Sequence, residues 1–351
     1  MKRVGILGLP QSGKSTVFEI LTQGAGSAAA GGGSKDHVGM VRVPDERIDR
    51  LALLFKPKKT TYTQIQFVDS AAAGHTSARV AAKGPDLFSG VRNCDMLVAV
   101  IRDFENPAVP SIKGVDPARD LRDLETELIV NDLAIVETRM ERIEKELRIG
   151  KKQGEREHVV LGRCKTLLEA EHALRAETFD SEEEKILSGF QLLTRKPLLV
   201  VYNQDEHSKS APPEPGPSTR SVALKANLER EIVALPTDER VAFRAELGMT
   251  EDGLSLLIRG CYELLGLISF FTVGPDEVRA WTIRQGEFAV DAAGEIHSDL
   301  ARGFIRAEVI DWKKLVELGG TAGARTAGQL RLEGRDYEVH DGDCLEIRFN
   351  A

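Results

Sequence analysis

The stretch Gly8-Leu9-Pro10-Gln11-Ser12-Gly13-Lys14-Ser15 fits the pattern G-x-x-x-x-G-K-[ST], which is typical of loops that bind phosphate groups. The apolar run before it, residues 4–7, predicts a buried strand, and residues 16–21 after it have helical periodicity. In such a unit the N–H groups of the loop and the N-terminus of the helix converge on an anion. The motif therefore predicts a nucleoside triphosphate site, with Lys14 at the terminal phosphates and the Ser15 hydroxyl on Mg²⁺. The residues expected to contact the phosphates are Gly8, Gln11, Ser12, Gly13, Lys14, Ser15 and Thr16.

Length and composition limit the class of protein. With 351 residues, 42% of them hydrophobic, the chain is long enough for two or three domains. The formal net charge of −8 argues against a protein that coats nucleic acid through bulk charge, so we expect no DNA partner and only local contact with any RNA. No apolar run reaches the ~18 residues that cross a bilayer, and the N-terminus enters a strand directly. These features indicate a cytoplasmic protein without a membrane partner.

The four cysteines carry no metal or disulfide signal. Cys94, Cys164, Cys261 and Cys344 are far apart and form no C-x-x-C pair. We therefore expect free thiols, and neither a zinc site nor a disulfide framework.

The apolar runs at residues 64–69, 96–101 and 197–202 predict further strands, which suit a mostly parallel sheet with both faces covered. Between the last two runs the pattern changes to helical spacing, followed by a break at residues 149–154. The apolar positions of the first stripe are Ile129, Leu133, Val136, Met140, Ile143 and Leu147, and those of the second are Val160, Cys164, Leu167, Leu168 and Leu174. Two such stripes predict an antiparallel helical hairpin inserted into the nucleotide domain.

The expected organisation has four segments. Residues 1–115 and 195–266 form the two parts of an α/β nucleotide-binding domain, and residues 116–194 form the inserted helical arm. After residue 266 short strands divided by glycines predict a separate β-rich module over residues 267–351.

Two polar positions follow predicted strands. Asp69 ends a strand after the phosphate loop, the place expected for a carboxylate that orients the Mg²⁺ shell beside Ser15. Asn203-Gln204-Asp205-Glu206 stands where GTPases carry N-K-x-D, with Glu206 in place of the final Asp. Because one Asp carboxylate accepts two adjacent guanine donors in parallel, the longer Glu206 predicts relaxed or lost selectivity for guanine.

The chain resembles the YchF subfamily of Obg-type P-loop NTPases over nearly its whole length. The matching elements in the first part are the run from Gly8 to Ser15, Val38-Gly39-Met40-Val41 with Val43-Pro44-Asp45, Arg47-Ile48-Asp49, Asn203-x-x-Glu206, and Ala226-Asn227-Leu228-Glu229, which is similar to the family's base loop S-A-K-L-E. Those in the C-terminal part are Ala280-Trp281-Thr282-Ile283-Arg284, Ala293-Gly294-x-Ile296-His297 and Gly303-Phe304-Ile305-Arg306-Ala307-Glu308.

The resemblance implies an Obg-like nucleotide domain, a coiled-coil arm and a C-terminal TGS domain of β-grasp type. It also implies a cytoplasmic protein that binds and hydrolyses ATP in preference to GTP, with Mg²⁺ and a possible K⁺ ion. A ribosome or ribosomal RNA is the implied partner, reached through the arm and the TGS domain. Asn203, Glu206, Ala226, Asn227 and Leu228 are the implied contacts to the base.

The sequence departs from the family where the γ-phosphate is sensed. Ala72 replaces the Gly of D-x-x-G, Ala73 stands at the apolar position after it, and the first-switch Thr aligns with Gly33. Gly33 lies in the Gly/Ala/Ser segment from Gly24 to Ser34, whose composition predicts a mobile loop. These departures predict slow hydrolysis. Three functions therefore stay open: a slow ATPase acting as a regulatory switch, a nucleotide-binding adaptor with little hydrolysis, and a GTPase.

Overall fold

The computed structural model describes residues 1–23, 36–70, 88–111, 113–150, 154–208, 216, 218–247, 249 and 252–350. They form two compact units, one of residues 1–41 with 66–260 and one of residues 42–65 with 261–351. Gly33, Ala72, Ala73 and the segment Gly24 to Ser34 lie outside the described residues, so the expectations placed on them stay predictions.

In chain order the described strands are β1 (Arg3–Leu7), β2 (Asp36–Arg42), β3 (Lys59–Thr61), β4 (Gln64–Ser70), β5 (Met96–Asp103), β6 (Leu198–Gln204), β7 (Thr219–Leu224), β8 (Leu267–Val273), β9 (Glu277–Arg284), β10 (Phe304–Asp311), β11 (Arg331–Glu333) and β12 (Asp343–Phe349). The described helices are α1 (Lys14–Gln23), α2 (Glu46–Phe55), α3 (Ser89–Arg92), α4 (Pro117–Arg148), α5 (Glu155–Glu169), α6 (Ser181–Ser188), α7 (Ala226–Ala234), α8 (Thr237–Glu246), α9 (Gly253–Leu264), α10 (Ala289–Ile296), α11 (Ser298–Arg302), α12 (Trp312–Glu317) and α13 (Thr321–Thr326).

The first unit is built on a six-stranded sheet of order β2-β4-β1-β5-β6-β7. Strand β1 pairs parallel with β4 and β5, and β6 pairs parallel with β5 and β7. Every residue of β6, and all but the last of β5, is buried, as expected for parallel strands covered on both faces. The mostly parallel α/β sheet expected from the sequence is therefore confirmed. Because β1, β4, β5 and β6 run the same way, their carboxyl ends lie at one edge of the sheet.

The helical arm consists mainly of α4 and α5. Helix α4 begins after Asp116, whose side chain accepts a hydrogen bond from the Arg119 N–H, with Pro117 in the first turn. Arg139 on α4 pairs with Glu157 on α5 at 2.7 Å, and Lys165 pairs with Glu137 at 2.9 Å, so the two helices are antiparallel. Their buried apolar positions form one cluster that includes both predicted stripes. The helical insertion is confirmed.

At the base of the arm, the fully buried carboxylate of Asp132 on α4 fixes the segment that returns to β6. It accepts hydrogen bonds from the Leu193 N–H at 3.0 Å and from both the N–H and the hydroxyl of Thr194 at 2.7 Å. Burial raises the pKa of the Asp132 carboxyl, although these three donors oppose the shift.

The second unit contains a six-stranded sheet of order β11-β10-β12-β8-β9-β3. Apolar side chains from both faces of this sheet are buried. One cluster contains Phe270, Leu345 and α10, and a second contains the neighbouring Phe271 and Cys344 with α2. Side chains alternate along a strand, so these neighbours point to opposite faces and both faces are covered.

The sequence assigns residues 42–65 to the nucleotide-binding domain, whereas the structure groups them with residues 261–351. The reason is pairing and packing: β3 runs parallel to β9, and Ile48 and Leu51 of α2 are buried in the second unit's core. This segment interrupts the first unit between β2 and β4.

All four cysteines are free thiols, as the sequence predicted, and the structure shows that all four are buried. Among the described residues, none of the helices has the length and apolar character that crossing a lipid bilayer demands.

Candidate functional site

The phosphate-loop motif lies between β1 and α1 and lines a cavity of about 510 Å³. The predicted residues Gly8, Gln11 to Thr16 and Asp69 all line this cavity, so the structure brings together the positions that the sequence placed far apart. His37, on β2, also lines it and was missed by the sequence reasoning. Its ring lies 6.4 Å from that of Phe18, but neither spacing nor motif singles it out.

The backbone of the loop explains the two glycines of the motif. Gly13 has φ +91°, and a Cβ added there would lie 2.2 Å from Asn203 Nδ2. A Cβ at Gly8 would lie 2.5 Å from Ser12 Oγ and 2.8 Å from the carbonyl oxygen of Val100. All three distances are far below a van der Waals contact, so a side chain at either position would force the loop apart. The loop therefore keeps its curvature only with glycine at both places.

Two features of the loop suit an anion. The side chain of Ser12 is buried, and its Oγ has no hydrogen-bond partner within the part of the chain that the structure describes. Helix α1 starts at Lys14, and the first N–H groups of a helix have no intrahelical acceptors. A buried hydroxyl and a helix N-terminus at one cavity together provide donors to phosphate oxygens.

Lys14 and Asp69 form an ion pair in this cavity, with side chains that are only 12% and 7% exposed. Asp69 is the penultimate residue of β4, opposite Ile6 of β1 in the parallel register. Ser15 lines the same cavity. A hydroxyl and a carboxylate here are oxygen ligands of the kind that Mg²⁺ accepts, so the donor set fits this ion with phosphate oxygens and water.

Asn203 joins the phosphate loop to the loop before α7. Its side chain is buried; Nδ2 donates to the carbonyl oxygen of Ser12 at 3.0 Å, and Oδ1 accepts from the Ala226 N–H at 3.2 Å. The hydrogen bond between them therefore holds Asn203 and Ala226 together. Neither residue is among those that line the cavity of the phosphate loop or the second cavity described below, although the sequence placed both at the base.

A second cavity, of about 270 Å³, lies beyond the carboxyl ends of β5 and β6. The predicted residues Glu206, Asn227 and Leu228 line it. It is also lined by Phe104, Glu105 and Asn106, which the sequence reasoning missed. These three residues follow β5 directly, so the end of the apolar run 96–101 was a usable signal for them.

Arg102 fixes the position of this missed segment. Its guanidinium is buried and lies 4.5 Å from the centre of the Phe104 ring. It also donates to the carbonyl oxygens of Phe104 at 3.1 Å and Val109 at 2.6 Å. The Phe104 ring is therefore held as one wall of the second cavity.

The sequence of the chain is similar to known proteins over its full length. The "Ribosome-binding ATPase YchF" of Bacillus subtilis is 39% identical over 361 aligned residues, which cover 99% of both chains. The chain belongs to the YchF family. The YchF protein of the same printed name from Escherichia coli O157:H7 is 37% identical, again over 99% of both chains. Residues 267–350 match the family model YchF-GTPase_C, described as a protein of unknown function.

A solved YchF structure has the same fold. The structure titled "Structure of the Schizosaccharomyces pombe YchF GTPase" superimposes with a TM-score of 0.83 and 28% identity, covering 99% of this chain and 97% of that one. The family and the fold class expected from the sequence are thus both confirmed. The bacterial relatives are named ATPases, whereas the fission yeast structure is titled a GTPase.

Proposed function

We propose that this YchF chain binds ATP with Mg²⁺ in the first unit and hydrolyses it slowly. The observation that carries the proposal is the buried Asn203 side chain, which fixes the phosphate loop on one side and the loop of the second cavity on the other. The triphosphate then occupies the cavity of Gly8, Gln11, Ser12, Gly13, Lys14, Ser15 and Thr16, and the base occupies the cavity of Glu206, Asn227 and Leu228. Ser15 and Asp69 would hold Mg²⁺, which neutralises phosphate charge when bound.

Base preference follows from Glu206 and its neighbours. Glu206 lines the second cavity at the position where an Asp reads guanine in GTPases, and its extra methylene changes the reach of the carboxylate. Adenine presents an exocyclic amino donor, which a single carboxylate oxygen can accept. We therefore propose ATP over GTP, in agreement with the names of the bacterial relatives.

The proposed partner is the ribosome, because the bacterial relatives are named ribosome-binding. The contact surfaces would be the arm over residues 116–194 and the TGS domain over residues 267–351, and the match of a family model to residues 267–350 supports this last boundary. The nucleotide domain would comprise residues 1–115 and 195–266 without residues 42–65, which the structure groups with residues 261–351. Such a partner also makes the proposed location the cytoplasm.

A nucleotide-dependent adaptor with little hydrolysis is the second candidate. The observation in its favour is the loss of switch groups in the sequence: Gly33 offers no side-chain oxygen to Mg²⁺, and neither Ala72 nor Ala73 can orient or polarise water.

Single-turnover hydrolysis of radiolabelled ATP separates the two candidates. The full chain is mixed with less than one equivalent of ATP and Mg²⁺, with and without ribosomes and with K⁺ or Na⁺. For a slow ATPase we expect phosphate release that ribosomes or K⁺ accelerate and that Lys14→Ala abolishes. Stoichiometric ATP binding with no phosphate release under any of these conditions would support the adaptor instead.

A further inference from the structure

The second cavity is lined mainly by two chain segments. Two hydrogen bonds connect these segments and act as cross-links between them. Residues 204–207 lie at the end of β6 and directly after it, and residues 227–228 lie in the first turn of α7. The first cross-link is the bond from the Ala226 N–H to Asn203 Oδ1. The second is a bond of 2.6 Å from Lys225 Nζ to the main-chain carbonyl oxygen of Glu206. The second cross-link therefore acts on the residue that is proposed to read the base.

Lys225 is an unfavourable residue for the place that it occupies. It is the N-cap of α7, and its side chain makes no cap hydrogen bond. N-caps favour Ser, Thr, Asp or Asn, whose oxygens accept from free N–H groups, and the positive end of the helix dipole disfavours a cation. Asn203 supplies an acceptor to the Ala226 N–H instead, from a different strand. The stability of α7 alone gives no reason for a lysine at this position.

The loop that contains Glu206 is restrained from its other side by Asp205. The Asp205 carboxylate accepts from the His207 N–H at 2.8 Å and from the Ser208 N–H at 2.9 Å, which closes a tight turn around residue 206. The bond from Lys225 fixes the carbonyl of the same residue. With its main chain held on both sides, the exposed Glu206 carboxylate is confined to positions that rotation of its own side chain can reach.

We propose that Lys225 is a positioning residue that sets the base preference of the site through Glu206. This inference rests on the proposed function, because it assigns the reading of the base to Glu206. Without the Lys225 bond the main chain at Glu206 loses one of its restraints, and the carboxylate samples a wider region. The Glu206 carboxylate then accepts less well from the amino group of adenine, so the site discriminates less strongly against guanine.

The test compares Lys225→Ser with Lys225→Arg in the full chain. Serine removes the bond to Glu206 and supplies a good N-cap, so the variant keeps or increases its melting temperature. Arginine keeps a cationic donor at the same place. Lys185→Ser, on the exposed surface of α6, is the matched control for the loss of one positive charge. Calorimetry gives the affinities for ATP, GTP and inorganic tripolyphosphate, of which the last reports on the phosphate loop alone.

We expect Lys225→Ser to lower the ratio of ATP to GTP affinity about fivefold to tenfold. This is less than the full effect of losing one hydrogen bond from a charged donor, because the bond acts on the base only through Glu206. Its affinity for tripolyphosphate stays at the wild-type value, and Lys225→Arg restores most of the ratio. If the wild type prefers ATP and the folded Lys225→Ser variant keeps the same ratio, this result would overturn the role of Lys225 and leave the proposed function standing. An equal loss for ATP, GTP and tripolyphosphate would also overturn it, since that pattern is a general structural effect. A wild type that binds neither triphosphate would overturn the proposed function as well.

Discussion

Glu206, Asn203 and Gly13 give the site its specific chemistry at the scale of single residues. The Asn203 amide lies against Gly13 and donates to the adjacent Ser12 carbonyl, so the phosphate loop and the loop before α7 share one buried side chain. Both glycines of the motif have steric reasons in the structure, whereas Glu206 contributes a carboxylate to the wall of the second cavity. These roles can be tested one residue at a time.

Glu206→Asp should shift the base preference toward GTP. The shorter carboxylate restores the geometry that accepts two adjacent guanine donors, so we expect the ratio of ATP to GTP affinity to fall about tenfold, or about 1.4 kcal/mol. Competition between ATP and GTP measures the ratio. Glu105→Asp is the matched control, because it shortens another acid of the same cavity and should leave the ratio near the wild-type value. If the ratio did not respond to Glu206→Asp, the base would be read by other groups.

Gly13→Ala should abolish ATP binding and destabilise the fold by about 1–3 kcal/mol, because the new Cβ meets the Asn203 amide at a positive φ. Calorimetry measures the binding and chemical denaturation the stability. Gly162→Ala is the control: it lies inside α5, where the nearest atom to an added Cβ is 3.9 Å away, so it should raise stability by up to about 1 kcal/mol and leave binding intact. Wild-type ATP affinity in Gly13→Ala would show that ATP binding does not need the close approach of Gly13 to Asn203.

At the scale of elements, long apolar patterns could be read from the sequence and short polar elements could not. Strands β5 and β6 each begin with a continuous apolar run, and such a run predicts a buried strand. Strand β3 has the sequence Lys-Thr-Thr, and only its pairing with β9 makes it a strand. That pairing connects residues more than two hundred positions apart, and for this reason the sequence did not reveal that residues 42–65 belong to the second unit.

The candidate site shows the same division. The phosphate loop is a local motif and was found complete, whereas Phe104, Asn106 and His37 reach the two cavities only through the order of strands in the sheet. No local motif marks any of the three, and the place of Phe104 and Asn106 directly after the apolar run 96–101 was the only sequence signal for them. Tertiary contacts of this kind require the topology first.

The joint between the arm and the sheet should depend on Asp132. Asp132→Ala leaves the N–H groups of Leu193 and Thr194 buried without their acceptor, so we expect a loss of about 3 kcal/mol in local stability. Hydrogen exchange of α4 amides, followed by mass spectrometry, measures the loss. Glu141→Ala, at an exposed position of the same helix, should change protection little. Equal protection in both variants would show that the apolar cluster of the arm alone fixes the joint.

At the scale of the whole molecule, the chain combines two compact units. The first unit contains the phosphate loop, the second cavity and the helical arm, and the second contains the β-rich module that matches the C-terminal family model. Full-length similarity to YchF proteins indicates that this combination is the family's own arrangement. The central claim is therefore that the first unit binds ATP through the residues of the Gly8–Ser15 motif.

Calorimetric titration of ATP with Mg²⁺ into the wild type and into Lys14→Ala tests this claim most directly. The account predicts one ATP per wild-type chain and an affinity at least about tenfold lower in Lys14→Ala, since a charge-assisted phosphate contact is worth more than about 1.4 kcal/mol. Circular dichroism should show that the variant keeps its fold. A folded Lys14→Ala variant that binds ATP as tightly as the wild type would contradict the account.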